Sequence, residues 1–186
     1  MAFSKIIAES MDLTDAYNFT GTLQQNGAGI GGNNKPFFQA VITSDISTPN
    51  GTSTLITFNA EPFDSSSLFN TSNGRFVMDS TNAGKYFIYC KISVDTDANV
   101  TATGDYLELQ VRQYNSSNSQ LFDHTARVSF SNVQYPSCSV GGFFSLANGD
   151  YVVPYVKLEG TGGHNVFGIN TTSPSKCEFT GFKIIE

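Results

Sequence analysis

From residue 36 to its end, the chain is a succession of short apolar runs with turn residues between them. Runs such as "STLITFNA", "GKYFIYCKISV" and "DYVVPYVKLE" have the length of single strands, and Gly, Asn, Asp, Ser or Pro separates each from the next. Short strands at this spacing are typical of a β-sandwich or a β-barrel. Long amphipathic helices are hard to find. We therefore predict an all-β domain.

The predicted strands are of two kinds. In "YLELQV" apolar and polar residues alternate, as expected for a strand with one face in the core and one in water. In "GKYFIYCKISV" and the terminal "KCEFTGFKIIE", apolar residues occupy both faces. Two such strands in one sheet would leave a large apolar patch exposed on a monomer. We expect copies of the same chain to cover it; the alternative is one thick core that buries both faces.

The first 35 residues differ in composition from the rest. They end in "LQQNGAGIGGNNK", a Gly- and Asn-rich run that cannot supply a core of its own. We predict two regions: residues 1–35, an N-terminal arm and linker, and residues 36–186, the domain. A chain of 186 residues is long enough for one well-buried core and short for two.

Charge and apolar pattern exclude several classes of partner. The net charge is −6 and only 10 Lys and Arg are scattered along the chain, so nucleic acid is not an expected partner. No apolar stretch reaches membrane-spanning length, and the opening residues lack the apolar core of a signal peptide. We expect no membrane partner, and we expect synthesis in a cytoplasm. Three cysteines without metal-ligand spacing are expected to be reduced.

Catalytic and metal-binding patterns are weak. The chain has two histidines, His124 and His164, and neither stands in a nucleophile or metal motif. Asp95, Asp97 and Asn99 match the first ligand spacings of a calcium loop, but Gly and the final Glu of that loop are missing from their positions. We predict no enzymatic activity, no cofactor and no metal.

Several segments together resemble a known family. The stretch "FNAEPFDSSSLFNTSNGRFVMDSTNAGKYFIYCKISV", then "SVGGFFSLANGDYVVPYV" and "FTGFKII", follow in order the motifs of the globular head domain of the complement-component-one-q and tumour-necrosis-factor superfamily. The resemblance covers about residues 36–186. It implies a TNF-like jelly-roll β-sandwich, homotrimeric about a threefold axis and carrying an extended N-terminal arm.

The resemblance also distributes the residues of the two-faced strands. In the family, both strands lie in the inner sheet, with one face in the core and the other turned to neighbouring subunits. The residues so assigned to the core are Tyr86, Ile88, Phe182 and Ile184. Those assigned to the trimer interface are Phe87, Tyr89, Phe179 and Ile185.

The opening "FSKIIAESMDLTDAYNFTG" is similar to leaders of virion proteins of marine tailed phages. This resemblance implies a virion protein on the particle exterior, most simply a capsid decoration or cement protein, whose residues 1–35 dock to other virion proteins of capsid or tail. One alternative is the receptor- or glycan-binding tip of a tail or head fibre. Another is a soluble recognition module. For a host glycan, exposed loops would offer Tyr114, His164 and Phe167.

Overall fold

The computed structural model describes most of the chain from residue 35 onward and two short segments before it. Of residues 24–25, 28–29, 95 and 164–166 only the backbone is described. The described residues are 24–25, 28–29, 35–95, 106–130, 133, 135–159, 164–166 and 177–184.

The chain divides into two units, Met1–Asn33 and Asn34–Glu186. In the first, strands β1 (Gln24–Gln25) and β2 (Ala28–Gly29) form an antiparallel pair. In the second, the described secondary structure is entirely strand. Its strands are β3 (Phe37–Val41), β4 (Ile46–Thr48), β5 (Thr54–Leu55), β6 (Ala60–Asp64), β7 (Phe69–Asn70), β8 (Arg75–Val77), β9 (Gly84–Asp95), β10 (Tyr106–Tyr114), β11 (Gln120–Ser129), β12 (Ser137–Leu146), β13 (Tyr151–Glu159), β14 (His164–Val166) and β15 (Glu178–Lys183).

The strands of the second unit form two antiparallel sheets. We call the sheet that contains the long strand β9 the inner sheet and the other the outer sheet. In the inner sheet, β9 pairs with β12 along one edge and with β15 and β14 along the other. From β15 the sheet continues through β3 to β6, and β4 extends it beyond β14. The outer sheet runs in the order β11, β10, β13, β8, β7, with β5 also on β13. The predicted all-β jelly-roll sandwich is confirmed.

The core lies between the two sheets and is rich in aromatic rings. The ring of Phe38 on β3 stacks on Phe76 of the outer sheet at 4.2 Å between centroids. Phe179 on β15 meets Phe38 edge-on at 5.1 Å, and all three side chains are fully buried. Alternating strand geometry turns these rings inward, and burying each contributes about 1.5–3 kcal/mol.

The turn between β12 and β13 closes around a buried carboxylate. Asp150 Oδ2 accepts hydrogen bonds from the Ala147 amide at 3.0 Å and from Gln113 Nε2 at 2.9 Å. Gly149 has φ of 84°, a conformation that side chains disfavour. At this turn Gly149 adopts the left-handed backbone conformation, and Asp150 accepts a hydrogen bond from an amide of the same turn.

The three cysteines are all buried thiols, as Cys90 and Cys177 are fully inaccessible and Cys138 nearly so. Burial raises the pKa of the Cys90 thiol well above its ordinary value and also raises that of Cys138. Because the thiolate is the reactive form, we expect a thiol reagent at pH 8 to label the native protein far more slowly than the unfolded protein. Rapid labelling of native protein, followed by mass spectrometry, would contradict this burial.

Candidate subunit interface

Strand β9 has two apolar faces that meet different surroundings. Tyr86 and Ile88 are fully buried between the sheets, whereas Phe87 and Tyr89 are half-buried on the opposite, outward face of the inner sheet. The Tyr86 hydroxyl donates to the carbonyl oxygen of Asn82 at 2.6 Å, and burial raises its pKa. The apolar residues of this strand are therefore divided between the core and the outward face of the sheet.

Strand β15 corrects two assignments made from the sequence. Phe179, expected at the trimer interface, is fully buried in the core, while Phe182, expected in the core, is 39% exposed on the outward face. The register explains both positions, since Phe179 lies opposite the buried Cys90 and Phe182 lies opposite Phe87. Opposed residues in an antiparallel pair share a face. The assignment made from the sequence therefore gave each of the two phenylalanines the face that the other one occupies.

Gly181 shows why the core follows this register. It faces inward opposite Ile88. A Cβ atom at Gly181 would lie 2.4 Å from Ile88 Cδ1 and 2.9 Å from Phe38 Cε1. The isoleucine and phenylalanine side chains fill the space that a side chain at position 181 would need.

The remaining predicted residues of the terminal strand lie at its end. Ile184 is half-buried and is not part of the core cluster, so its assignment to the core is also wrong. It follows the last residue of β15, and its amide donates to the Lys85 carbonyl oxygen at 2.8 Å. Past the end of the strand, residue parity no longer directs a side chain between the sheets. Ile185 lies outside the described residues.

A row of phenylalanines crosses the outward face of the inner sheet. Phe143 of β12 lies opposite Phe87, Phe87 lies opposite Phe182, and Phe182 lies opposite Phe37 of β3. The Phe87 ring lies 5.5 Å from Phe143 and 5.7 Å from Phe182, and Phe63 of β6 meets Phe37 edge-on at 5.7 Å. We call these five residues the phenylalanine row.

The phenylalanine row is open to solvent in the single subunit. Phe143 is 68% exposed and Phe63 is 46% exposed. Large aromatic side chains in contact with one another across several strands form a continuous apolar surface, of the kind that marks a protein interaction site. The row is therefore the strongest candidate for a subunit interface in the described part of the chain.

A second apolar surface lies on β11, the edge strand of the outer sheet. Leu121 is 53% exposed, Phe122 is 47% exposed and Val128 is 37% exposed. We call these three residues the edge patch. It belongs to a different sheet from the phenylalanine row.

His124 lies on β11 between Phe122 and Val128 of the edge patch and packs against β12. Its ring meets Phe122 at 4.8 Å and Phe144 at 5.1 Å, edge-on in both cases. A Cβ at Gly142 would come within 2.1 Å of this ring, so the glycine provides the space for the imidazole. Nε2 lies 3.3 Å from the Phe143 carbonyl oxygen.

The outward face of the outer sheet carries charged side chains that are paired with one another or lie over tyrosine rings. Its cations lie over tyrosine rings: Arg112 is 4.0 Å from the ring centre of Tyr155. Arg127 bonds to Glu108, and Lys157 Nζ lies 2.9 Å from Glu159 Oε2. The hydrogen bond from Lys157 lowers the pKa of Glu159.

The proposed ligand-loop residues are not brought together by the described part of the structure. Tyr114 ends strand β10 rather than lying in a loop, and its ring stacks on Tyr151 at 5.2 Å. The backbone of His164 is in β14, while its side chain and all of Phe167 lie outside the described residues. No cluster of potential metal ligands occurs among the described residues, which leave out Asp97 and Asn99. They also contain no helix long and apolar enough to cross a membrane.

Sequence reasoning missed Phe37, Phe63, Phe143 and His124 at these surfaces. A signal was present for Phe143, because "GGFFSL" places two adjacent phenylalanines on opposite faces of one strand. Phe144 takes the core and Phe143 is exposed. No local signal identifies His124, whose position depends on Gly142 of the next strand.

Fold and interface geometry together define a class: a jelly-roll sandwich with an aromatic inner-sheet face. Similar solved structures include the globular domain of zebrafish complement 1qA, with 17% identity over 82% of this chain and 99% of that one and a TM-score of 0.54. Murine APRIL at pH 5.0 has 15% identity over 80% of this chain and 98% of that one, with a TM-score of 0.56. Eiger TNF from S. frugiperda has 15% identity over 82% and 95%, with a TM-score of 0.52. At these identities the likeness shows the fold.

The family itself is shown by the sequence. The model of the TNF (Tumour Necrosis Factor) family matches residues 62–169, more than half of the chain, and the protein belongs to this family. No curated protein sequence matches the chain.

Proposed function

We propose that this protein is a non-enzymatic homotrimer displayed on the exterior of a phage virion, most simply as a capsid decoration or cement protein. In this proposal the jelly roll forms the displayed body and residues 1–35 dock to other virion proteins. The observation that carries the trimer is the exposed phenylalanine row. TNF-like proteins are typically trimeric signalling or recognition modules without catalytic activity, which supports a binding or structural role.

Two different apolar surfaces favour a cyclic trimer over a twofold dimer. A twofold dimer places the same patch of both subunits in contact, whereas a ring joins two different patches head to tail. The phenylalanine row and the edge patch are such a pair of surfaces. In the proposed trimer, the edge patch of each subunit packs on the phenylalanine row of the next.

The virion role is supported by the similarity of the opening segment to virion leaders and by the suitability of a jelly roll on a short arm as a particle component. The protein composition of purified particles tests this virion role. Particles purified by density gradient from cells that produce this protein should contain it in fixed proportion to the major capsid protein, measured by quantitative mass spectrometry. Particles free of it would contradict the proposal.

Docking through the arm has a separate test. Removing residues 1–30 is expected to leave a folded trimer that no longer joins particles, because the jelly roll has its own core. Particles lacking the protein are mixed with the full chain or the truncated chain, and bound protein is measured after sedimentation. Full occupancy by the truncated chain would show that the jelly roll itself makes the attachment.

A further inference from the structure

All three arginines of the chain lie on the outward face of the outer sheet, and each guanidinium lies over a tyrosine ring. The distances between Cζ and the ring centre are 4.1 Å for Arg75 and Tyr151, 4.0 Å for Arg112 and Tyr155, and 4.2 Å for Arg127 and Tyr106. A ring attracts the positive charge, but the N–H groups at the edge of the guanidinium still need acceptors.

Two of the three guanidiniums have acceptors. Arg112 Nε donates to Gln110 Oε1 at 2.7 Å. Arg127 Nε donates to Glu108 Oε2 at 3.0 Å. The Arg75 side chain has no hydrogen-bond or ion-pair partner in the described part of the chain, and its Nε is sealed from solvent. Because arginine stays protonated in proteins, Arg75 carries a charge that is partly removed from water and not neutralised.

The open side of Arg75 is at its two Nη atoms. The residue is partly buried, and Nε is the one nitrogen of this side chain that is both sealed and without a partner. The two Nη atoms, which also lack partners, therefore reach solvent. Their N–H groups form a planar fork that matches the two oxygens of a carboxylate. An anion that approaches from solvent would supply the acceptors that Arg75 lacks.

The Arg75 guanidinium is held by its surroundings before any ligand arrives. The Tyr151 hydroxyl donates to Asn118 Oδ1 at 2.9 Å, and the Tyr151 ring stacks on Tyr114 at 5.2 Å. The backbone amide of Arg75 donates to Asn73 Oδ1 in the turn between β7 and β8, at 3.2 Å. A donor group fixed in this way loses little conformational entropy when a ligand binds.

A cleft of about 460 Å³ opens beside Arg75, at the end of the outer sheet formed by β7 and β8. It is lined by Ser67, Leu68, Phe69, Asn70, Thr71 and Val77. Asn70 lies opposite Arg75, which places their Cβ atoms about 5 Å apart on one face. Asn70 Oδ1 accepts from the Ser72 amide at 2.9 Å, so Nδ2 is the end of this amide that can donate to a ligand. Apolar side chains beside hydroxyl and amide groups suit a sugar ring, which has C–H faces and hydroxyl edges.

We propose that Arg75 and this cleft form a binding site for a sugar acid, in which the two Nη atoms hold the carboxylate and the cleft receives the ring. One unpaired cation fits a single carboxylate. A polyanion needs several unpaired cations, and Arg112, Arg127 and Lys157 on this face already bond to side chains of the same sheet. The inference depends neither on the trimer nor on the virion role.

The small number of arginines gives a direct test. Protein labelled with ¹⁵N-arginine has one Nε–H signal for each of the three side chains, and Arg75→Lys identifies the signal of Arg75 by removing it. The full chain is titrated with sodium glucuronate and with sodium N-acetylneuraminate up to tens of millimolar, with sodium chloride holding the ionic strength constant. We expect at least one of them to shift the Arg75 signal to saturation while the signals of Arg112 and Arg127 stay in place.

Matched variants separate the fork from the charge. Arg75→Lys keeps the charge but lacks the planar fork, and it should weaken binding by about tenfold or more, measured on the backbone amide signals of Asn70 and Val77. Lys157→Gln removes one positive charge from the same face and should bind within about twofold of the wild-type protein, because long-range effects of one exposed charge are screened. Acetate and glucose each carry half of the ligand, and both should bind more weakly than the sugar acid.

Four outcomes would overturn the proposal. They are the absence of a saturable shift with either sugar acid, equal shifts of all three arginine signals, acetate binding as tight as that of the sugar acid, and equal losses of binding in Arg75→Lys and Lys157→Gln. The wild-type titration decides the question by itself if Arg75→Lys does not fold. Saturable binding to a protein that proves to be a single subunit would remove the proposed trimer and leave this inference in place.

Discussion

Phe179→Asp is expected to unfold the jelly roll. The side chain is fully buried and touches Phe38 at 5.1 Å and Phe58 at 5.7 Å between ring centres. Truncating a buried phenylalanine costs about 3–5 kcal/mol, and a domain of this kind is stable by about 5–15 kcal/mol in total. A carboxylate adds the cost of burying a charge. Circular dichroism should show a large loss of strand signal at 25 °C.

The matched control lies three residues further along the same strand. Phe182→Asp introduces the same charge at a side chain that is 39% exposed on the outward face. We expect this variant to keep its strand signal and to lose the trimer. If Phe179→Asp folds and Phe182→Asp unfolds, the assignment of the two faces of β15 is reversed.

Phe143→Asp is expected to separate the trimer into folded subunits. Phe143 is 68% exposed in the single subunit, so its removal leaves the core intact. Each trimer contains three copies, and losing about 1.5–3 kcal/mol of apolar burial at each weakens association by about a thousandfold or more. Desolvation of three carboxylates increases this loss. Light scattering should report the mass of one chain.

The control for Phe143→Asp is Ser117→Asp, which places the same charge in the exposed turn between β10 and β11. This variant should keep the mass and the melting temperature of the wild-type protein. A Phe143→Asp variant that still forms trimers at micromolar concentration would show that the phenylalanine row is not the contact surface.

Much of the fold could be predicted from local patterns. Apolar runs broken by turn residues are a property of sequence alone, and they indicated the sandwich. The strict alternation on β10 and the apolar content of both faces of β9 were also visible in the chain. These signals work because a strand places successive side chains on opposite faces.

Which face of β15 enters the core could not be read from that strand by itself. Its parity depends on the pairing of Gly181 with Ile88, and a shift of one residue would exchange Phe179 and Phe182. The absence of a side chain at Gly181 was the usable signal, because a core position left empty must be filled by its neighbours. His124 is a harder case, since its contacts with the Phe144 ring and the Phe143 carbonyl oxygen come from a different strand and a different sheet.

In the proposed assembly, copies of this chain cover the phenylalanine row. Light scattering coupled to size-exclusion chromatography at pH 8 tests it most directly on the wild-type protein. We predict a single species of three times the 20.1 kDa mass of one chain, held over a tenfold dilution in the micromolar range. A species of 20.1 kDa under the same conditions would contradict it.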